Sequence, residues 1–341
     1  MTKTSIRIAT RSSPLALWQA NFVKDELQKT DPELSVELVH VTTGGDRNVL
    51  DPLQSFGGMG AFTKEVQLAV LEGRADIAVH SLKDLPTEPT PGLTIACVPE
   101  REQTFDVIVF PSHRRRDVEI LTQRLQNPEN LTSAELEEIV DHSIVLTLLS
   151  ENAVVGTGSL RRRAQLLHER PDLELKEIRG NVDTRIQKLE SGDYDAIVLA
   201  FAGIHRLKRD LELCFLPLDH MLPAVGQGAL GLEIRENDSA IAQMLRLLDH
   251  HETHLDVIAE RALLRTLRAG CHAPVGVETG MIEAKLWMIN AVVLSADGQQ
   301  RVDEMTAQDH APRDAREAET VGVDLAHKLI QQGADKLLGH S

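Results

Sequence analysis

Only three cysteines, Cys97, Cys214 and Cys271, occur in the 341 residues. They are widely separated and lack metal-ligand spacing, so neither a disulfide framework nor a metal site is expected. A reducing cytoplasm fits this usage. Long apolar runs are missing too. The longest, Ala196 to Ile204, is broken by Gly203 and falls far short of the roughly 20 residues that span a bilayer, so no membrane partner is expected. The stretch from Met1 to Thr10 has no signal-peptide apolar core. Positive charge is in deficit: 36 Lys and Arg stand against 52 Asp and Glu, a net charge of -16. This argues against a nucleic-acid scaffold but leaves room for a local basic cleft. Neither GxGxxG after a strand nor a Walker sequence is present, and no fixed-period repeat or low-complexity tract occurs.

What is present is an apolar fraction of 42%, enough for two or three globular domains. Short apolar runs alternate with amphipathic segments, which predicts an α/β protein with mostly parallel strands. Ile6–Thr10, Val36–Thr42 and Asp76–Ser81 read as the first strands. Pro14–Lys29 and Thr63–Gly73 read as helices, the former capped by Ser13 with Pro14 at its first position. The alternation restarts with strands at Phe105–Phe110, Glu174–Ile178 and Ala196–Ala200 and helices after Ser159 and Asn181. The glycine-rich turn Pro223–Gly231 returns the chain towards the first unit. Beyond His250 a helix (Glu252–Arg268), strands near Val275–Glu278, Leu286–Leu294 and Arg301–Ala307, and a last helix from Asp314 to Leu338 read as a small α+β unit. Ser112–Asn152 is more polar and irregular; its His113-Arg114-Arg115-Arg116-Asp117 run reads as solvated surface, and Thr132-Ser133-Ala134-Glu135 as a capping box.

Four segments set arginine beside a helix start: Thr10–Pro14, Gly156–Arg163, Arg179–Arg185 and Gly203–Arg206. A helix N-terminus already attracts anions, so Arg161-Arg162-Arg163 in a first turn is electrostatically misplaced. An anionic ligand supplying the missing charge is the reading this mismatch favours, with the guanidinium forks suited to carboxylate or phosphate. His80-Ser81-Leu82-Lys83-Asp84-Leu85-Pro86 follows a strand, where open α/β sheets bind ligands. Lys83 and Asp84 there are either a cation with an acid–base group or an ordinary polar turn. Cys271, before His272 on a Gly/Pro-flanked loop, is either a nucleophile or, as lone cysteines commonly are, a small buried residue. The clusters Gly44-Gly45 and Gly57-Gly58-Met59-Gly60 bracket either a lid or a flexible loop.

Together, Ile8–Ala20, Asp76–Asp84, Gly156–Arg162, Arg179–Arg185, Leu222–Gly228 and Gly270-Cys271 resemble the porphobilinogen deaminase (hydroxymethylbilane synthase) family, in order from Ile6 to about Leu338. The resemblance implies two doubly wound lobes like those of periplasmic binding proteins plus a small α+β C-terminal domain. The domains would be 1–99 with 224–247, then 100–223 including the extended segment 112–152, then 248–341. It implies a transferase of tetrapyrrole (haem-type) biosynthesis that joins four porphobilinogen molecules with loss of ammonia and releases hydroxymethylbilane. A covalent dipyrromethane cofactor would hang by a thioether from Cys271. Asp84 would be catalytic, with Lys83. Cofactor contacts would come from Ser81, Lys83, Asp84, Thr157, Ser159, Arg161, Arg162 and Arg185, and substrate contacts from Arg11, Ser13, Arg179, Arg185 and Arg206. A monomer with a small-molecule substrate and no nucleic-acid partner is implied.

The chain departs from the family pattern in three places. Met59 stands where lysine is usual, the usual Arg-Glu-Asp-Pro-Arg-Asp is Arg101-Glu102-Gln103-Thr104-Phe105-Asp106, and the stretch before Gly156 is longer by roughly two dozen residues. These bear on loop behaviour and rate. The other readings are a two-lobed carboxylate-binding module without turnover, which would need neither Asp84 nor Cys271, and a family member weakened by Met59.

Overall fold

Two buried strands, each fourth in its own five-stranded sheet, organise the chain. The computed structural model describes residues 5–42, 63–126, 144–270, 272–282 and 285–339. The first sheet holds β1 (Ser5–Thr10), β2 (Ser35–His40), β3 (Ile77–Ser81) and β4 (Leu93–Cys97), with β10 (Leu230–Arg235) inserted to give the order β2-β1-β3-β10-β4. The second holds β5 (Asp106–Phe110), β6 (Val154–Gly156), β7 (Glu174–Lys176), β8 (Ala196–Ala200) and β9 (Cys214–Leu218) in the order β7-β6-β8-β5-β9. β1 runs parallel to β2 and β3, and β6 parallel to β7 and β8. β10 and β5 are antiparallel to both their neighbours. Each is the first strand after the chain crosses between lobes. The expectation of mostly parallel sheets therefore holds with one reversed strand in each.

A strand covered on both faces needs apolar residues at successive positions. In β5, Ile108 and Phe110 enter one core with α3 (Arg115–Gln126) and α4 (Leu160–Glu169). Val107 and Val109 enter the opposite core with α5 (Val182–Glu190) and α6 (Phe201–Arg206). In the first lobe α1 (Pro14–Thr30) and α7 (Ser239–Leu245) cover one face, and α2 (Lys64–Leu71) the other. The third unit is an antiparallel meander of β11 (Val275–Ile282), β12 (Leu286–Leu294) and β13 (Arg301–Gln308), packed under α8 (His251–Thr266) and α9 (Ala315–Gln331). The fold is thus α/β with two sheet-rich lobes and a small C-terminal unit.

Three expectations are corrected. The last helix ends at Gln331 and restarts as α10 (Ala334–Leu337), because Gly333 takes φ 99°. The strand after Leu173 stops at Lys176 rather than Ile178. The polar segment from Ser112 opens with a helix, α3, whose Val118 and Leu121 are buried. Its charges are partly engaged: Arg114 pairs with Asp117 at 2.6 Å and lies over the Phe110 ring, and Arg115 donates to the Glu212 carbonyl. The capping box at Thr132–Glu135, both glycine clusters, Met59 and Cys271 lie outside the described residues.

Gly228 sits where the two inter-lobe crossings touch. At φ +83°, a Cβ there would lie 2.3 Å from the Glu102 carbonyl oxygen, and the Gly228 carbonyl accepts from Glu102 N–H at 3.2 Å. Gly192 has φ +85° with open space around its Cβ position. Gly192→Ala should cost about 1–2 kcal/mol from backbone strain alone. Gly228→Ala should cost clearly more, by about 1–3 kcal/mol through overpacking against main chain. Denaturant unfolding of both variants measures the difference, and equal losses would remove the steric argument.

Candidate active site

Asp84 is delivered by a buried strand and a tight turn. β3 ends at Ser81, and the single 3-10 turn Leu82–Asp84 follows, with Leu82 1% exposed as its anchor. Leu82 N–H donates to the Ala229 carbonyl at 3.0 Å. On the far side Arg261 of α8 donates to the Leu85 and Pro86 carbonyls at 3.2 and 2.6 Å. Asp84 is exposed, while the backbone on both sides of it is held.

Asp84 lines a pocket of about 80 Å³ with Arg11, Ser13, Gln19, His80 and Ser81. Ser13 caps α1 by accepting from Ala16 N–H at 3.3 Å, with Pro14 at the first helical position. Ser81 accepts from the Gln19 side chain at 2.6 Å. The helix start that the Ser13-Pro14 pair predicts thereby becomes one wall of the pocket.

The second lobe contributes a buried charge cluster. Ser159 caps α4, accepting from Arg162 N–H at 3.4 Å, and Thr157 accepts from Ser159 N–H at 3.2 Å. Arg161 and Arg162 in that first turn are 4% and 6% exposed. Both meet Asp106, the 0% exposed first residue of β5. Arg161 Nη1 lies 2.7 Å from Oδ2, and Arg162 Nη2 and Nε lie 2.8 and 3.2 Å from Oδ1. Arg162 also donates to the Val198 carbonyl, Arg161 to that of Leu222, and Arg163 to that of Leu175. The misplaced charge of the triplet therefore has an internal counter-ion, which corrects the expectation that an anionic ligand supplies the missing charge. The correction is incomplete, since one carboxylate serves two guanidiniums and the buried Arg161 Nε has no partner.

Lys83 is the first lobe's side of the same cluster. Its Nζ donates to Gln227 Oε1 at 3.3 Å, and Gln227 Nε2 donates to Asp106 Oδ1 at 2.9 Å and to the Thr104 carbonyl at 2.6 Å. Burial, then repulsion by Arg162, lowers the Lys83 pKa to about 8; Asp84 and Asp106 oppose the fall. The pair of arginines, with Lys83, overcomes burial to hold Asp106 well below the usual carboxylate range. Arg185, which donates to the Gly180 carbonyl at 2.9 Å, is lowered to about 10 by burial and by Arg162, against the pull of Asp84.

The remaining arginines are occupied differently. Arg179 pairs with the exposed Glu177 at 2.6 Å. Arg206 donates to the Gly228 carbonyl at 2.6 Å and lies 5.4 Å from the Trp18 ring, spanning from α6 to α1. The structure thus brings Lys83, Arg161 and Arg162 together, gathers Arg11, Ser13, Ser81 and Asp84 around one pocket, and places Arg185 within the field of both groups. Asp106 and Gln227 were not foreseen in these roles. The available signals were a carboxylate leading an apolar strand, Asp106-Val107-Ile108-Val109-Phe110, and an amide between two glycines, Gly226-Gln227-Gly228.

Lys83 also sets a stability dependence on pH. Its folded pKa, about 8, lies below the ordinary 10.5, so between these values the unfolded chain binds more protons and stability rises with pH. Below about pH 8 both states are charged and the penalty is fully present. Lys83→Met should therefore stabilise the ligand-free chain at pH 7, with the gain shrinking towards pH 10. Denaturant unfolding at the two pH values checks this; no gain at pH 7 would count against a strained ammonium.

A family model described as porphobilinogen deaminase, dipyromethane cofactor binding domain, matches residues 6–243, and one described as porphobilinogen deaminase, C-terminal domain, matches residues 254–331. Among solved structures, a double mutant of the Bordetella pertussis BvgS VFT2 domain is 15% identical with a TM-score of 0.39, covering 71% of this chain and 85% of that one. The BenM effector binding domain with its effector benzoate is 14% identical with a TM-score of 0.39, covering 72% and 92%. YhfZ from Shigella flexneri is 14% identical with a TM-score of 0.34, covering 78% and 92%. The two family matches between them take in both lobes and most of the third unit, and the chain belongs to the porphobilinogen deaminase family.

Proposed function

We propose that Asp84 is the catalytic group of this enzyme and that Lys83, Arg161, Arg162 and Arg185 hold the carboxylates of its cofactor and growing product. The reaction joins porphobilinogen units into hydroxymethylbilane with loss of ammonia, starting from a dipyrromethane cofactor. The observation that carries the assignment is the excess of cations over carboxylates around Asp106, with Lys83 depressed chiefly by burial and by Arg162. Each pyrrole of substrate and cofactor bears an acetate and a propionate, so the donor set fits the group. The buried, unpartnered Arg161 Nε is one donor such a carboxylate can use. Cys271 is the proposed attachment point, with Ser81, Thr157 and Ser159 as further cofactor contacts. Arg11, Ser13, Arg179, Arg185 and Arg206 are the proposed substrate contacts, with Arg179 and Arg206 changing partners to take part.

When bound, the cofactor supplies the nucleophilic pyrrole carbon. Asp84, exposed at the pocket wall, accepts hydrogen bonds from pyrrole N–H groups and stabilises the positive charge that develops as ammonia leaves. Arg11 and Ser13 orient the incoming carboxylates against it. The guanidiniums are fixed by backbone carbonyls and Asp106 before ligand arrives, so little reorganisation is needed.

The domain limits we propose are 1–99 with 224–247, 100–223 and 248–341, in a cytoplasmic monomer. No helix among the described residues is long and apolar enough to cross a membrane. Intact mass should show an excess of two pyrrole units that is lost in Cys271→Ser. Asp84→Asn should retain that excess and the unfolding midpoint while turnover falls about 100-fold or more, as for lost electrostatic groups elsewhere. Turnover within tenfold of the parent would reject Asp84 as the catalytic group.

A further inference from the structure

Lys83 and Asp106 are opposite charges close enough to shift one another, and yet no ion pair joins them. Gln227, 0% exposed, stands between. Its Nε2 donates to Asp106 Oδ1 at 2.9 Å and to the Thr104 carbonyl at 2.6 Å, and its Oε1 accepts from Lys83 at 3.3 Å. A carboxylate and a carbonyl only accept, so the amide cannot be turned the other way. Asp106 Oδ1 also takes Nε and Nη2 of Arg162. That oxygen, on the Gln227 side, already has three donors and no room for an ammonium.

We propose that Gln227 is a positioning residue that acts as a neutral spacer, keeping the Lys83 ammonium off Asp106 so that it stays available to a ligand carboxylate. This rests on the assignment of Lys83 to the carboxylate site. An ammonium seated on Asp106 would be neutralised in a low-dielectric setting and withdrawn from the cleft. Donation to a neutral amide leaves its charge uncompensated and two N–H groups free for ligand. The charged groups facing Lys83 are Asp84 on its own turn, Asp106 on β5, and Arg161 and Arg162 on α4. With no carboxylate in contact, burial and the arginines prevail over the carboxylates, which agrees with a lysine resting near 8.

The test labels the full-length Cys271→Ser chain with an amine-reactive reagent at graded pH and follows Lys83 by peptide mass spectrometry. The unsubstituted spacer should give a midpoint near 8. Gln227→Met keeps the length of the side chain but removes the amide; Lys83 should then fall onto Asp106 and its midpoint rise by at least one unit, about fivefold slower labelling at pH 8. A midpoint unchanged or lowered overturns the spacer. If Gln227→Met does not fold, Gln227→Asn, one methylene too short to span the gap, should give the same rise and is decisive in the same way. In the holoenzyme with Gln227 intact, a cofactor carboxylate seated beside Lys83 should raise its labelling midpoint by at least one unit above that of the Cys271→Ser chain. A holoenzyme midpoint equal to that of the Cys271→Ser chain, together with a raised midpoint in Gln227→Met, would retain the spacer and overturn the assignment of Lys83 to the carboxylate site.

Discussion

The relative placement of the lobes depends on one buried carboxylate, Glu260 of α8. It is 0% exposed and accepts from both terminal nitrogens of Arg101 at 2.7 and 3.1 Å, from Gly226 N–H at 2.6 Å and from the Thr279 hydroxyl at 2.7 Å. Arg101 lies on the crossing from the first lobe to the second, Gly226 on the crossing back, and Thr279 on β11 of the third unit. Arg101 Nε also donates to the Gln227 carbonyl, tying the two crossings to each other. A buried pair of this kind does little for net stability, but removing one partner costs about 3–5 kcal/mol because the other charge is left alone. Its contribution is to geometry. With both crossings fixed to a helix of the third unit, the ends of β3 and α4 face each other at a set distance.

That distance is what the charge cluster needs. Lys83 belongs to the first lobe, Asp106, Arg161 and Arg162 to the second, and Gln227 to the return crossing, and a single chain of hydrogen bonds runs through all of them. Arg261 of α8 holds the turn after Asp84 from the same helix that carries Glu260. The third unit therefore steadies a pocket that none of its described residues lines. Cations placed this way cost no rearrangement when a polyanion arrives, the condition under which electrostatics contribute most.

Legibility in the sequence followed the range of the interaction. α1 and α4 were readable because their caps, Ser13 and Ser159, and their apolar spacing are local. The reversed direction of β5 and β10 was not. A strand buried on both faces is a run of apolar residues whichever way it points, and only the crossings between lobes decide that. The first-turn arginines were read as favouring an anionic ligand, whereas the anion they meet is Asp106, 56 positions from Arg162 and beyond any local pattern. Asp84 was legible as a strand-end polar residue, and the catalytic role proposed for it came through the family resemblance. Gln227 was not, since an amide acquires meaning only from the two lobes it touches. The break at Gly333 was missed for the opposite reason: a local glycine signal was overruled by the apolar period on either side of it.

The same cluster resolves the conflict between an acidic chain and an anionic ligand. The net charge of -16 is spread over the whole chain, whereas the Arg161 and Arg162 charges are buried and that of Lys83 is half-buried beside them, where water screens them less than at the surface. Holding them without ligand is a strain on the fold, visible in the lowered pKa values of Lys83 and Arg185. On the role proposed for Lys83, a carboxylate arriving beside it would return that pKa towards its ordinary value, and the free energy released by the return would be part of the binding energy. A site that strained its cations less would have less to regain on binding, and one that let Lys83 rest on Asp106 would already have released it.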